Sequence, residues 1–496
     1  MIDAAVTALT TIFSWPIIAF VLIGTFIGMV FGAVPGLGGT IAIALLIPVT
    51  FGMDAGPAIV LFASTLGGVA FGGSISAILI NVPGTGPNAA TLLDGYPMSQ
   101  QGRAGEALGV SATASALGAI FGLVILISIL PVARQIVLAF QPPEFFWLAI
   151  FGLTIIAVAT EGSLMKGIIA GGVGLMLSLI GYAGTTGEYR YGFGTEYLWD
   201  GIDLVVALIG LFAIAEVINM IRKGGTIAQT DDFVGSRSGV LKGAKEVIKR
   251  PSLFLRSAAI GTLIGMVPGA GGTVANFISY IQAVQTSSEP ETFGTGNLEG
   301  VLASEAANDA KDGGALIPTL IFGIPGSAAM AVLLGGLQFH GVTPGRALLE
   351  EQLSLLFLII ASLLISNILT SVVGLTFANH FAKLTKVPVK LLTAPILVIC
   401  LVGAFALRNN MGDVIVALAF GLVGYFMIVF GYSRVAVVLA LILGPIAERN
   451  FLQSRQIWNN DYSVFFTRPI SLVLVIVTVI SLLLPFIRAW RRQKKA

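Results

Sequence analysis

Thirteen apolar stretches, most of them near the ~20 residues an α-helix needs to cross the hydrocarbon core, occupy most of this chain. They cover residues 12–34, 56–80, 107–130, 144–160, 163–182, 202–221, 253–285, 314–338, 352–378, 391–407, 411–431, 433–447 and 469–487. Only 10% of the residues are charged, against roughly 25% in a soluble domain, so a water-facing surface could not be clothed. The expected fold class is an all-α polytopic membrane protein. Its 61 glycines and 21 prolines show no Gly-X-Y period, which points to close helix packing and broken helices.

The formal net charge of +2 marks no nucleic-acid partner. No Lys or Arg precedes Arg103, so the basic start of a cleavable signal peptide is missing and 12–34 is expected to be a retained span. The interval from Arg222 to Arg256 holds eight basic residues against Asp231, Asp232 and Glu246, and the positive-inside rule makes it cytoplasmic. The basic tail from Arg488 to Lys495 belongs on the same side. Cys400 is the only cysteine, and His340 and His380 the only histidines; an internal disulfide, a Cys-based metal site and a Ser-His-Asp hydrolase do not fit. With neither a phosphate-binding Gly-rich loop nor a His-Glu-x-x-His motif, the expectation is a protein that is not an enzyme and holds no tightly bound cofactor.

The two sides of the basic interval repeat each other. Gly28 to Thr40 aligns without gaps on Gly261 to Thr273, both reading G-x-x-x-G-x-V-P-G-x-G-G-T. Val82-Pro83-Gly84-Thr85 then matches Ile324-Pro325-Gly326-Ser327, and Gly102-Arg103-Ala104 matches Gly345-Arg346-Ala347. The expected organisation is a first membrane repeat (1–221), a cytoplasmic linker (222–256), a second repeat (257–468) and a final helix with its tail (469–496). Counting spans back from the basic segments puts Arg103 inside and Arg346 outside, as an inverted repeat requires.

Proline and consecutive glycines inside an apolar run free backbone groups that lipid cannot satisfy, so such a break must be buried in protein or line a wet cavity. Carbonyls of Gly36, Gly38, Gly39 and Thr40, and of Gly269, Gly271, Gly272 and Thr273, are candidate cation ligands. The Pro-Gly elements read as tips of re-entrant helical hairpins. Their amides and hydroxyls at Gly84, Thr85, Gly86, Gly326 and Ser327, with Asn81, Asn88 and Asn308, are candidate anion-binding groups. Glu305, Asn308, Asp309 and Asp312 fall at i, i+3, i+4 and i+7. That face is either an ionic site, with carboxylate oxygens for sodium or a proton, or a solvated loop face.

The paired V-P-G-x-G-G-T motifs, Asn81-Val-Pro-Gly-Thr85, Ser304-Glu-Ala-Ala-Asn308 and Gly313 to Gly326 resemble the large membrane subunit of the tripartite tricarboxylate transporters over nearly the whole chain. The resemblance implies uptake of citrate or other di- or tricarboxylates across the bacterial inner membrane, driven by an ion gradient, commonly sodium. It also implies a small four-helix membrane subunit and a periplasmic solute-binding protein as partners. The stretch Asn308-Asp309-Ala-Lys311-Asp312 is more charged than the small apolar and amide residues of that family at this place. Two other readings stand beside a coupled carrier: an uncoupled organic-anion channel or uniporter, and an intramembrane enzyme using Glu305, Asp309 and Asp312.

Overall fold

The computed structural model describes residues 1–159, 164–183, 187–223, 237–269, 271–384 and 389–493. The first part of the chain forms α1 (Ile2–Ile12), α2 (Ile17–Ala33), α3 (Gly38–Val49), α4 (Ala55–Ile80), α5 (Asn88–Met98), α6 (Ala104–Ala139), α7 (Pro142–Ala159), α8 (Leu164–Ser178), α9 (Leu204–Leu208) and α10 (Ala215–Lys223). The second part begins with α11 (Arg237–Lys249), α12 (Pro251–Gly265), α13 (Gly271–Thr286), α14 (Leu298–Leu316), α15 (Ala328–Phe339) and α16 (Arg346–Glu350). It continues through α17 (Leu353–Leu384), α18 (Val389–Arg408), α19 (Met411–Phe430), α20 (Arg434–Ile457), α21 (Val464–Thr467) and α22 (Pro469–Gln493). Among the described residues, extended structure is confined to a hairpin of Gly181–Ala183 with Glu188–Arg190. Seven helical segments among the described residues are long and apolar enough to span a bilayer, so the fold is an all-α polytopic membrane protein.

Residues 12–34 do not form one straight helix. Pro16 has no amide to donate and interrupts the helix; α1 and α2 meet there at 77°. The stretch 107–130 lies inside the longer α6, which is set off from α5 by a kink within Ser99–Arg103, where Gly102 takes a left-handed conformation (φ 77°).

The duplication seen in sequence reappears as a packing register. A Cβ at Gly28 would lie 2.1 Å from the Thr65 carbonyl, and one at Gly32 would lie 2.2 Å from that of Val69. The matching glycines of the second copy, Gly261 and Gly265, approach the carbonyls of Ala307 (2.5 Å) and Lys311 (2.2 Å). Side-chain-free positions one turn apart therefore let α2 lie against α4, and α12 against α14, closer than any larger residue permits. Each copy also lends a long helix to the other: α6 packs on α14, and α17 packs on α4.

The direction of these helices follows from a few contacts. Gly95 of α5 abuts Ile78 near the end of α4. Next to it, Asp94 Oδ1 accepts the amides of Gly294, Gly296 and Asn297 at 2.8–2.9 Å, and Asn297 caps the start of α14. Thus α4 ends at the level where α14 begins, and these equivalent helices run in opposite directions, the geometry of an inverted repeat. Arg103 shares Glu106 with Lys242 of α11 at 3.0 and 3.3 Å, so it lies beside the basic linker. Arg346 precedes α17, whose start packs near Gly56 at the opposite end of α4.

Candidate functional site

The four interruptions meet at one chamber of about 470 Å³. The first break supplies Gly36, Leu37, Gly38, Gly39 and Thr40; the second supplies Gly271 and Gly272. Between α4 and α5 come Pro83, Gly84, Thr85, Gly86 and Pro87, and between α14 and α15 come Gly326 and Ser327 with the first residues of α15. Leu66, Val69 and Ala70 of α4 face Asn308, Lys311, Asp312 and Ala315 of α14 across it.

Positive φ angles at Gly36 (90°), Gly38 (60°), Gly269 (75°) and Gly271 (72°) show why both breaks need glycine: this left-handed backbone carries a Cβ penalty for other residues. The first tip is built the same way. After Ile80 the chain turns back along α4 as an extended segment until Gly84 donates its amide to the Gly73 carbonyl at 3.3 Å. A Cβ at Gly84 would fall 1.9 Å from the Gly32 carbonyl, which leaves no room for a side chain. α5 then leaves the tip in the direction of α4, since Asn88 reaches Ala70 and Ser74 while Gly95 reaches Ile78. At the second tip Gly326 packs on Ala315 and the Gly265 carbonyl, the counterparts of Gly73 and Gly32, and Ser327 caps α15 through the Met330 amide. Gly86 approaches Thr273, and Asn276 of α13 donates to the Pro87 carbonyl at 3.0 Å, so the first copy's tip is seated on the second copy's break.

Of the candidate ligands, Gly36, Gly38, Gly39, Thr40, Gly84, Thr85, Gly86, Gly271, Gly272, Asn308, Gly326 and Ser327 line the chamber. Four lie outside the lining. Asn81 is exposed at the C-terminus of α4 in the left-handed conformation. Asn88 is buried and occupied, accepting from Thr85 and donating to Ser74 and the Ala70 carbonyl; it holds the tip in place. Gly269 donates its amide to the Gly326 carbonyl, and Thr273 touches Gly86.

The expected single face of α14 divides in two. Asn308, Lys311 and Asp312 face the chamber, whereas Glu305 and Asp309 turn into the protein. Glu305 is fully buried and accepts hydroxyl donors from three other helices: Ser74 of α4 at 2.8 Å to both oxygens, Ser115 of α6 at 2.9 Å, and Thr91 of α5. A solvated loop face is thereby overturned. Asp309 Oδ2 and Asn308 Nδ2 are buried without a partner. Thr91 and Ser115 carried no signal in the sequence, because each lies about two hundred positions from Glu305 and joins it only in three dimensions. Lys311 carried no such signal either: the 242-residue offset of the tips pairs it with the apolar Val69, and its place in the chamber follows from the packing.

The comparisons with known proteins agree with this architecture. The sequence model of the tripartite tricarboxylate transporter TctA family matches residues 18–439. An uncharacterized 52.8 kDa protein from the TAR-I ttuC′ 3′ region of Agrobacterium vitis is 33% identical over 479 residues, 96% of this chain and 94% of that protein. A second protein of the same organism, from the TAR-II ttuC′ 3′ region, is 35% identical over 236 residues, 47% of this chain and 98% of that protein. With the match spanning both breaks, both tips and the helices between them, the chain belongs to the tripartite tricarboxylate transporter TctA family.

Proposed function

We propose that this protein is the large transmembrane subunit of a cation-coupled secondary transporter that imports di- or tricarboxylates such as citrate. The observation that carries the reading is the meeting of two breaks and two tips, drawn from antiparallel copies, at one chamber whose lining is mostly backbone and small residues. Amides of Thr85, Gly86 and Ser327 suit carboxylate oxygens, those of Gly84 and Gly326 being taken by the Gly73 carbonyl and the Thr319 hydroxyl, and carbonyls of the two breaks suit sodium, or a proton-carrying water in its place. Fixed backbone dipoles bind an anion without the hold of a full complement of arginines. Each charge moved is worth about 2.3 kcal/mol per 100 mV, so a dianion gains from an inside-negative potential only if it travels with at least three monovalent cations.

In this reading the protein sits in the bacterial inner membrane with its basic linker cytoplasmic. A periplasmic solute-binding protein delivers substrate and a small four-helix subunit completes the membrane part. Movement is a slide of the tip-bearing unit against the remaining helices. The test is uptake of mono-, di- and tricarboxylates into proteoliposomes with and without a sodium gradient, with the binding protein present. Accumulation that requires the gradient is the expected result; equilibration that ignores it leaves the uncoupled channel or uniporter.

A further inference from the structure

Among the residues lining the chamber, Lys311 and Asp312 carry the only full charges, and they are paired with each other, Lys311 Nζ to Asp312 Oδ1 at 2.9 Å. Both are partly shielded, with side chains 13% and 18% exposed. Consecutive helix residues seldom share a face. These two do because Lys311 runs sideways over the second break: a Cβ at Gly272 would lie 2.2 Å from Lys311 Cε and 2.8 Å from Pro87 Cγ of the opposite tip. The lysine stem is thus threaded between Gly272 and Pro87, with its ammonium in the chamber. One turn before it stands Asn308, at i−3 on the same face. Its Nδ2 is a buried donor with no acceptor, on a side chain only 1% exposed that lines the same space. A buried amide nitrogen left unpaired is destabilising, and an oxygen-bearing ligand would remove that cost.

We infer that Lys311 and Asp312 form an exchangeable ion pair that ties substrate binding to cation binding: a substrate carboxylate takes Lys311 Nζ together with Asn308 Nδ2, and the released Asp312 carboxylate is neutralised by one coupling cation. The inference rests on the carrier reading above and adds to it a residue pair and a coupling device. The physical reason is charge balance. The structure holds a closed pair, Lys311 with Asp312. Breaking it for a lone carboxylate leaves Asp312 uncompensated in a poorly hydrated place, which is costly. Breaking it for a carboxylate and a monovalent cation together leaves every charge paired. Either ligand alone is thus disfavoured and both together are favoured, a positive and reciprocal coupling. The first copy offers no alternative, because the positions equivalent to Asn308, Lys311 and Asp312 are Leu66, Val69 and Ala70.

The experiment measures citrate and succinate binding to the purified full-length protein by titration calorimetry, at a series of sodium concentrations at fixed pH and at a series of pH values at fixed sodium. The wild type is expected to bind at least one of the two more tightly as the coupling cation rises, with a log–log slope that counts the linked cations. Asp312→Asn, which keeps size and shape, is expected to lower that slope by about one. Lys311→Met is expected to weaken binding about tenfold or more, the loss of one charge-assisted hydrogen bond. The double variant K311M/D312N keeps the net charge and guards against misfolding of either single variant; it is expected to bind weakly with the reduced slope. An unchanged slope in Asp312→Asn, or unchanged affinity in Lys311→Met, overturns the inference. A wild type that binds neither carboxylate at any sodium concentration or pH overturns instead the carrier reading on which it rests.

Discussion

The two copies of the chamber wall are built on one backbone plan and carry opposite chemistry. In the first, α4 presents Leu66, Val69 and Ala70; in the second, α14 presents Asn308, Lys311 and Asp312 from the same places in the register. Deeper in the helix the contrast repeats, with buried Ala63 standing where the second copy has Glu305. What the copies share is what the backbone needs: glycines at helix crossings, glycines of positive φ at the breaks and a glycine at each tip. What they do not share is charge. An inverted pair requires the symmetric part to enclose a site, whereas one ion pair in one copy is enough to give that site polarity.

The largest expected effect breaks the symmetric part. Gly84→Ala is expected to abolish uptake and sharply lower the amount of folded protein, since the added Cβ would meet the Gly32 carbonyl at 1.9 Å and Gly73 Cα at 2.5 Å. Gly326→Ala meets its neighbours only at 2.8–2.9 Å and should retain part of both, at an overpacking cost of about 1–3 kcal/mol. Size-exclusion yield and uptake, measured side by side, check the order; equal tolerance at both tips would contradict the tighter seating of Gly84.

Glu305→Ala should cost about 3 kcal/mol, because Ser74, Thr91 and Ser115 lose a common buried acceptor. Ala63→Gly, its counterpart, should cost only about 1 kcal/mol of helix propensity. Thermal unfolding in detergent separates the two, and similar midpoints would mean that the hydroxyl cluster contributes little.

Gly28→Ala and Gly261→Ala sharpen the comparison from the shared side. Each should destabilise by about 1–3 kcal/mol, Gly28 more, since its Cβ would lie 2.1 Å from a carbonyl oxygen against 2.5 Å for Gly261. A reversed order in unfolding temperature would contradict the closer approach of α2 to α4.

The smallest effect lies where the first helices of the copies differ: α1 has no basic residue, while α11 carries Arg237, Lys242, Lys245 and Lys249. Lys249 and Arg250 hold the Glu246 carboxyl down at about 2 from 4.5, and Arg250 also reaches Glu299 at the start of α14 at 3.3 Å. A depressed carboxylate stabilises the fold above its ordinary pKa and loses that contribution as the pH falls from about 4.5 toward 2. Glu246→Gln should therefore remove well under 1 kcal/mol at neutral pH, as for other water-facing pairs, and flatten the loss of α11 protection between pH 5 and 2 in hydrogen exchange. Protection with the same acid dependence in the variant would assign that loss to another group.

Much of the site was legible because its parts are local and twice written. A Pro-Gly-x-Gly-Gly-Thr run cannot continue a helix wherever it occurs, and its recurrence at Gly36 and Gly269 announced two breaks without any knowledge of the fold. Most of the backbone ligands predicted from those runs do line the chamber. The exceptions have a common cause. Asn81 and Asn88 sit within the tip motif, but whether a side chain on a tip faces inward, outward or back onto its own helix depends on how far the chain turns back after Ile80, which the motif does not encode.

Helix class, the two glycine-rich breaks and the duplication were thus determined by the sequence alone, because hydrophobic length and backbone conformational cost act within a few residues of their origin. Only the tertiary structure decided that α14 divides into a buried carboxyl face and a chamber face, and that Lys311 bends across Gly272 to meet Asp312 beside an unpaired Asn308. Those arrangements depend on helices brought from far along the chain. Burial and ion pairing are properties of what surrounds a residue, and in a closely packed bundle those surroundings are set by long-range contacts.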